Sequence, residues 1–109
     1  MAGRAYYGKE EFTHALSDFN KAIELREDYF PYYTWRARTY KEMHNYKLAI
    51  ADFSKSIELE GGGGWDKYLE RANVYSLNKD YALEIADYDR AISALDKSIA
   101  SPYIIYENG

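Results

Sequence analysis

A short amino-acid pattern recurs three times along this chain at nearly constant spacing. Residues 17–25 return as residues 51–59, and a shorter third copy occupies residues 86–92. Equivalent positions lie 34 residues apart between the first and second copies and 35 apart between the second and third. A period of this size is typical of stacked-repeat proteins, in which each unit buries its apolar face against its neighbours. Such chains usually bind other proteins rather than transform small molecules.

Two stretches in each copy have helical spacing. The second stretch carries apolar residues at i, i+3, i+4, i+7 and i+11, which places them on one face of an amphipathic helix. They are Phe12, Ala15, Leu16, Phe19 and Ile23 in the first copy, and Tyr46, Ala49, Ile50, Phe53 and Ile57 in the second. The first stretch repeats an i, i+4, i+7 face, with Tyr33, Ala37 and Tyr40 followed by Tyr68, Ala72 and Tyr75. The sequence therefore predicts an all-α fold of helix-turn-helix pairs.

Turn-forming residues separate these helical stretches. Asn45 and Asp80 each precede the tyrosine that opens a second helix, as an N-cap residue does. Four glycines at residues 61–64 cannot lie inside a helix at reasonable cost and predict a flexible loop. This loop holds the extra residue of the second period.

Composition excludes several classes of function. The net charge of −4 argues against a nucleic-acid partner. The absence of cysteine excludes disulfides and thiolate metal sites. No apolar run is long enough to span a bilayer, and the amino-terminal residues have no apolar signal core. We therefore expect no membrane partner, and a cytoplasmic location is the default expectation.

No constellation of residues predicts catalysis or cofactor binding. His14 and His44 occupy non-equivalent places and belong to no metal-ligand spacing. The nucleophile motif G-x-S-x-G does not occur. We expect a chain that is not an enzyme and that carries neither a metal nor a cofactor.

The repeat resembles the tetratricopeptide repeat, whose outline is W-x2-L-G-x2-Y…A-x3-F…P over about 34 residues. The residues that carry the resemblance are the small and aromatic positions of all three copies. They are Gly3, Tyr6, Ala15, Phe19 and Ala22; Tyr33, Ala37, Tyr40, Ala49, Phe53 and Ser56; and Tyr68, Ala72, Tyr75, Tyr88 and Ala91. The resemblance implies a right-handed superhelical stack of antiparallel helix-turn-helix repeats, an α-solenoid, and a role in protein binding.

We predict a single array across residues 1–109. Its repeats span residues 1–29 (incomplete), 30–63 and 64–98, and residues 99–109 form a tail or the start of a further helix. The sequence departs from the family pattern at Glu84, which stands where Ala15 and Ala49 are small. A carboxylate buried there is costly unless it is paired, for example with an arginine.

Charged residues recur as well. Arg36 and Arg71 repeat at the period, as do Asp18, Asp52 and Asp87. We predict structural Arg–Asp pairs between neighbouring helices, each of which stabilises little if it is exposed.

In tetratricopeptide proteins the leading helices line a concave groove that holds partner peptides. The resemblance maps this groove onto Arg4, Tyr7, Thr34, Arg38, Lys41, Leu69 and Asn73. The basic members predict a locally positive groove that holds a carboxylate or an acidic segment through charge-assisted hydrogen bonds. The alternative is that these are ordinary solvated helix charges.

Some family members bind chaperone carboxyl-terminal tails through a carboxylate clamp. Its later positions fall here on Trp35, Asp66 and Glu70, two of which carry the wrong charge. The clamp is therefore predicted to be absent. Trp35 remains a candidate binding anchor because tryptophan is enriched at interface hot spots.

The sequence thus predicts a non-enzymatic module that binds a peptide or helical segment of a partner in a concave groove. The alternative is a structural self-assembly module that forms oligomers or a continuous superhelix through its incomplete terminal repeats.

Overall fold

The computed structural model describes residues 9–62 and 64–99. Within these ranges the chain forms helices and no strand. The helices are α1 (Lys9–Leu25), α2 (Phe30–Glu42), α3 (Tyr46–Leu59), α4 (Trp65–Leu77) and α5 (Tyr81–Ile99). The predicted all-α fold is confirmed.

Each helix packs on the next one along the chain, from α1 to α5. The turns inside the pairs α2–α3 and α4–α5 are only three residues long, which makes paired helices antiparallel neighbours. The described chain is therefore a row of helices in sequence order, in which α3 lies between α2 and α4.

The core sits where the predicted stripes meet. Ala37 of α2 and Ala49 of α3 are fully buried, and their small side chains let these two helices approach closely. Phe53 and Val74 complete the buried cluster on α3 and α4. Full burial of an aromatic side chain such as Phe53 contributes about 1.5–3 kcal/mol. The repeat pattern thus predicted three of these four buried residues, and Val74 lies outside it.

Three helices end in the same hydrogen-bonded turn. At the end of α2 the Asn45 N–H donates to the Tyr40 carbonyl at 2.8 Å and the His44 N–H donates to the Lys41 carbonyl at 2.9 Å. This is a Schellman motif, which requires a left-handed residue, and His44 has φ of 64°. The turns after α3 and α4 repeat this bonding around Gly61 (φ 78°) and Lys79 (φ 65°).

The predicted capping residues precede their helices as expected, but their hydrogen bonds differ from those of the predicted caps. Asn45 occupies the N-cap position of α3, but its side chain makes no capping hydrogen bond, so a side-chain cap is wrong here. Its backbone N–H closes the end of α2 instead. The Asp80 carboxylate accepts a hydrogen bond from the Asn78 side-chain amide at 2.7 Å.

The stripe of α5 differs from the stripe of α3. Its residues Tyr81, Ile85, Tyr88 and Ile92 are exposed in the described structure. Glu84 lies among them, is partly exposed and accepts a hydrogen bond from the Tyr88 hydroxyl at 3.2 Å. The expected cost of a buried carboxylate therefore does not arise, and the partner of Glu84 is a tyrosine rather than an arginine.

Two groups of predictions lie outside the described residues. Arg4 and Tyr7 fall in residues 1–8, and nearly all of the predicted tail falls in residues 100–109. Among the described helices, none combines the length and apolar character needed to cross a membrane.

Candidate partner-binding surface

Recurring arginines fix the helices that carry the surface. Arg36 donates through Nε to Asp52 Oδ2 at 2.7 Å and through Nη2 to Asp52 Oδ1 at 2.8 Å. Arg71 makes the same bidentate contact with Asp87, at 2.8 and 2.7 Å. The predicted Arg–Asp pairing is confirmed, and both carboxylates are buried. These pairs are therefore unlike exposed surface pairs, which stabilise little.

Each arginine also reaches the preceding repeat, which the sequence did not indicate. Arg36 Nη1 donates to Asn20 Oδ1 at 2.8 Å, and Arg71 Nη1 donates to Ser54 Oγ at 2.9 Å. Hydrogen bonding to its aspartate raises the pKa of each guanidinium, and burial opposes that rise. One side chain thus holds three successive helices in register.

The first member of the recurring aspartates behaves differently. Asp18 on α1 is exposed and makes no ion pair with the described residues. In the repeat register, Ala2 stands where Arg36 and Arg71 stand in the later copies. The arginine needed for this pairing is therefore missing from the first copy.

Four of the predicted groove residues lie on α2 and α4, helices that the Arg38–Glu70 ion pair joins, and we call these four residues the α2–α4 surface. They are Arg38 and Lys41 of α2, and Leu69 and Asn73 of α4. Leu69 and Asn73 share a helical face with Leu77, which follows at the next i+4 position. Leu69, Asn73 and Leu77 are all exposed, so the surface offers apolar contact beside polar groups.

Arg38 is engaged across the surface. Its Nε donates to Glu70 Oε1 at 2.7 Å and its Nη2 donates to Oε2 at 2.6 Å. The hydrogen bond to Glu70 raises the pKa of the guanidinium, burial opposes this, and the nearby Asp66 carboxylate adds to the rise. The positive charge expected at Arg38 is therefore largely offset by Glu70. Lys41 is partly exposed and makes no ion pair with the described residues.

Thr34 lies beneath this surface rather than on it. The residue is buried, and its Oγ1 lies 2.6 Å from Ser56 Oγ. The same hydroxyl lies 3.3 Å from the Phe30 carbonyl oxygen. Both contacts stay within the α2–α3 pair, so Thr34 is a packing residue rather than part of the exposed surface.

A depression beside the surface was missed by sequence reasoning. It has a volume of about 590 Å³ and lies between the first half of α1 and the end of α2. Its lining includes Glu11, Phe12, Ala15, Arg38, Thr39 and Glu42. The two glutamates recur in no other copy, which is why a search for periodic residues passes over them.

The tryptophans have ordinary structural contacts. Trp35 is exposed on one side and lies 6.1 Å, between ring centroids, from both Phe19 and Tyr32. It links α1 to α2 and still presents part of its ring to solvent. Trp65 is the first residue of α4, at the helix start predicted after the glycines.

Comparisons with known proteins place this fold in a family. The family model described as tetratricopeptide repeat matches residues 1–29 and 30–61, which together exceed half of the chain. The helices, their small–aromatic packing and this match define an array of protein-interaction repeats. The chain belongs to the tetratricopeptide repeat family.

The alignments with curated relatives each cover about half of this chain. It is 40% identical over 57 residues to the Hsp70-Hsp90 organizing protein of Triticum aestivum, covering 52% of this chain and 10% of that protein. It is 31% identical over 58 residues to DnaJ homolog subfamily C member 7 of Mus musculus, covering 53% and 12% respectively. It is 44% identical over 45 residues to the Protein SGT1 homolog of Bos taurus, covering 41% and 13%. The chain thus spans about a tenth of the length of these relatives.

The fold also resembles a solved structure. The crystal structure of MamA superposes with a TM-score of 0.79 at 20% identity, covering 84% of this chain and 53% of that one. This likeness concerns the fold alone. Tetratricopeptide repeats are protein–protein interaction modules, so the predicted class of interaction module is confirmed.

Proposed function

We propose that the α2–α4 surface binds an extended or helical segment of a partner protein. The observation that carries the proposal is the exposure of Leu69 and Leu77 on one face of α4, the helix that Arg38 of α2 contacts through Glu70. Partner segments commonly use apolar side chains for affinity and a few polar contacts for orientation. The arginine-fixed helices beneath the surface supply the rigid support that such recognition needs.

The charges refine which segment fits. Lys41 has no ion pair with the described residues, so it can receive a partner carboxylate without breaking a contact. Arg38 already donates to Glu70 through Nε and Nη2, so it can reach a partner carboxylate through Nη1, but Glu70 offsets most of its charge. We infer a segment with apolar residues over Leu69 and Leu77 and one acidic group at Lys41, rather than a uniformly acidic one.

The relatives named above include a protein that organises Hsp70 and Hsp90. In the carboxylate clamp that binds chaperone carboxyl-terminal tails, basic residues stand at the positions of Asp66 and Glu70, so this chain lacks those donors. We therefore propose that the partner of this chain differs from such a tail.

A peptide library tests the proposal directly. Random peptides displayed on messenger RNA would be selected on the full 109-residue chain, and the enriched peptides measured by calorimetry. We expect Leu69→Asp and Lys41→Glu each to weaken binding by about tenfold or more, since each removes a central contact. The control Glu24→Lys on α1 changes charge at an exposed position away from the surface. Equal affinity for all three variants would place the binding elsewhere.

A charge exchange separates the two roles of Arg38. Arg38→Glu combined with Glu70→Arg retains an ion pair of reversed direction. If Arg38 only braces α2 against α4, the exchanged protein binds the selected peptides as the parent does. If the partner contacts Arg38, affinity falls although the pair is retained.

A further inference from the structure

One face of α5, which we call its outer face, has the same pattern of residues as the face of α3 that packs against α4. The outer face consists of Tyr81, Ile85, Tyr88 and Ile92. Its positions correspond one by one to Tyr46, Ile50, Phe53 and Ile57. On α3 the last two are buried, at 0% and 6% exposure. On α5 their counterparts are 41% and 59% exposed. Equivalent apolar side chains are therefore buried on α3 and exposed on α5.

The helices that cover such faces share a pattern. α2 and α4 both read Tyr-x2-Arg-Ala-x2-Tyr, which we call the covering motif; its residues are Tyr33, Arg36, Ala37 and Tyr40 on α2, and Tyr68, Arg71, Ala72 and Tyr75 on α4. The alanine is fully buried in both helices. The arginine donates to the helix being covered, from Arg36 to Asn20 and from Arg71 to Ser54. Covering thus consists of apolar packing plus one arginine hydrogen bond.

Asp89 occupies the acceptor position on α5. It lies 35 residues after Ser54, which itself lies 34 after Asn20. Asp89 is exposed and has no hydrogen bond or ion pair with the described residues. A carboxylate is a stronger acceptor for a guanidinium than the amide or hydroxyl at the two earlier positions, because the hydrogen bond is charge-assisted.

We propose that the outer face of α5 binds a helix of a partner protein that carries the covering motif, with its arginine on Asp89. This interface is separate from the α2–α4 surface and does not depend on it. Its apolar residues supply contact area, and Asp89 sets the register and direction of the docked helix.

Apart from α2 and α4, no segment of residues 1–109 carries the covering motif. In the repeat register, Tyr106 and Glu107 stand at the positions of the arginine and the alanine. The arginine of the motif is therefore missing from this segment. A second copy would present its first repeat, in which Ala2 stands at the arginine position. The covering motifs of α2 and α4 are already engaged within the chain.

A peptide with the sequence of α4, residues 65–77 with blocked ends, is the probe. An isolated helix of this length is marginal in water, so nuclear magnetic resonance of the isotope-labelled full chain is the suitable measurement. We expect peptide-dependent shifts at Tyr81, Ile85, Tyr88, Asp89 and Ile92. We expect Asp89→Lys to weaken binding about tenfold, the size of one lost charge-assisted hydrogen bond.

A charge exchange gives the decisive control. The peptide carrying Arg71→Glu should bind the unmodified chain weakly. It should bind the Asp89→Lys variant as tightly as the unmodified peptide binds the unmodified chain. Glu24→Lys makes the same charge change on α1 and should alter neither affinity. A variant with Ile85→Asp should lose binding of both peptides, and its circular dichroism reports whether the fold is intact.

Four results would overturn the proposal. The first is peptide shifts confined to α2 and α4, and the second is unchanged affinity in Asp89→Lys. The third is binding that requires deletion of residues 100–109, because the chain's own segment would then occupy the face. The fourth is sedimentation that shows dimers which the peptide dissociates, because the occupant would then be a second copy.

Discussion

Arg71 and Asp87 are joined by two hydrogen bonds, at 2.8 Å from Nε to Oδ2 and at 2.7 Å from Nη2 to Oδ1. Asp87 has no solvent exposure and accepts a third hydrogen bond from Arg90 Nη1 at 2.8 Å. Such a carboxylate is retained in the interior because its charge is fully paired.

Removal of that carboxylate leaves the largely buried Arg71 side chain without its main partner. We expect Asp87→Ala to lower the free energy of unfolding by about 3–5 kcal/mol. Asp28→Ala, which removes the exposed partner of Arg26, should cost less than about 1 kcal/mol. Urea denaturation followed by circular dichroism measures both, and a similar loss in the two variants would contradict the difference in burial.

Two isoleucines at equivalent places test the exposure of α5. Ile57→Ala should cost about 2–5 kcal/mol because it removes most of a buried side chain and leaves a cavity. Ile92→Ala, at an exposed position, should cost less than about 1 kcal/mol. Equal losses in thermal or urea denaturation would mean that the outer face of α5 is covered in the isolated chain.

The turn at Lys79 has a backbone conformation that only some residues tolerate. Its φ of 65° lies in the left-handed region, where a β-branched side chain meets the backbone. We expect Lys79→Val to be about 1–2 kcal/mol less stable than Lys79→Gly. Lys79 is exposed, so loss of its side chain adds little to the comparison. If the two variants unfold at the same urea concentration, this conformation is not maintained in solution.

The hydrogen bond from Tyr88 to Glu84 has a consequence at alkaline pH. Donation to Glu84 raises the pKa of the Tyr88 phenol, because the phenolate would lose the bond and face a like charge. The folded pKa exceeds the unfolded one, so this stabilisation is present below the unfolded pKa. It is lost as pH rises through the folded pKa.

Glu84→Gln should therefore lower the pKa of Tyr88 towards its ordinary value. Titration of the Tyr88 ring carbon by nuclear magnetic resonance measures the change. Glu24→Gln, on the exposed face of α1, is the control and should leave the Tyr88 titration in place. A Tyr88 pKa that is the same in both variants would show that the contact does not form.

Much of the fold follows from repetition in the sequence. The stripe that contains Phe53, the buried alanines and the Arg36–Asp52 pair all recur at the period, and a recurring residue type marks a contact that each unit must make. The turn residues His44 and Lys79 also lie one period apart. Their left-handed conformation was missed because neither is a glycine, the residue that normally signals it.

The candidate surface was harder to predict from the periodicity of the sequence. The pair between Arg38 and Glu70 joins residues of different helices and occurs once in the described chain, so periodicity gives no sign of it. Thr34 was assigned to the surface from its helical position, but its hydroxyl finds Ser56 on the adjacent helix. The exposure of Ile92 depends on which helix comes next to α5, which a local pattern cannot specify.

Arg71 bonds to Ser54 of the α2–α3 pair as well as to Asp87 within its own α4–α5 pair. Unfolding of either helix pair therefore breaks a hydrogen bond that also involves the other pair. Neighbouring units therefore melt together rather than independently. The protection of backbone amides from hydrogen exchange would then be similar in α3, α4 and α5, because Arg71 of α4 bonds to residues of both neighbouring helices.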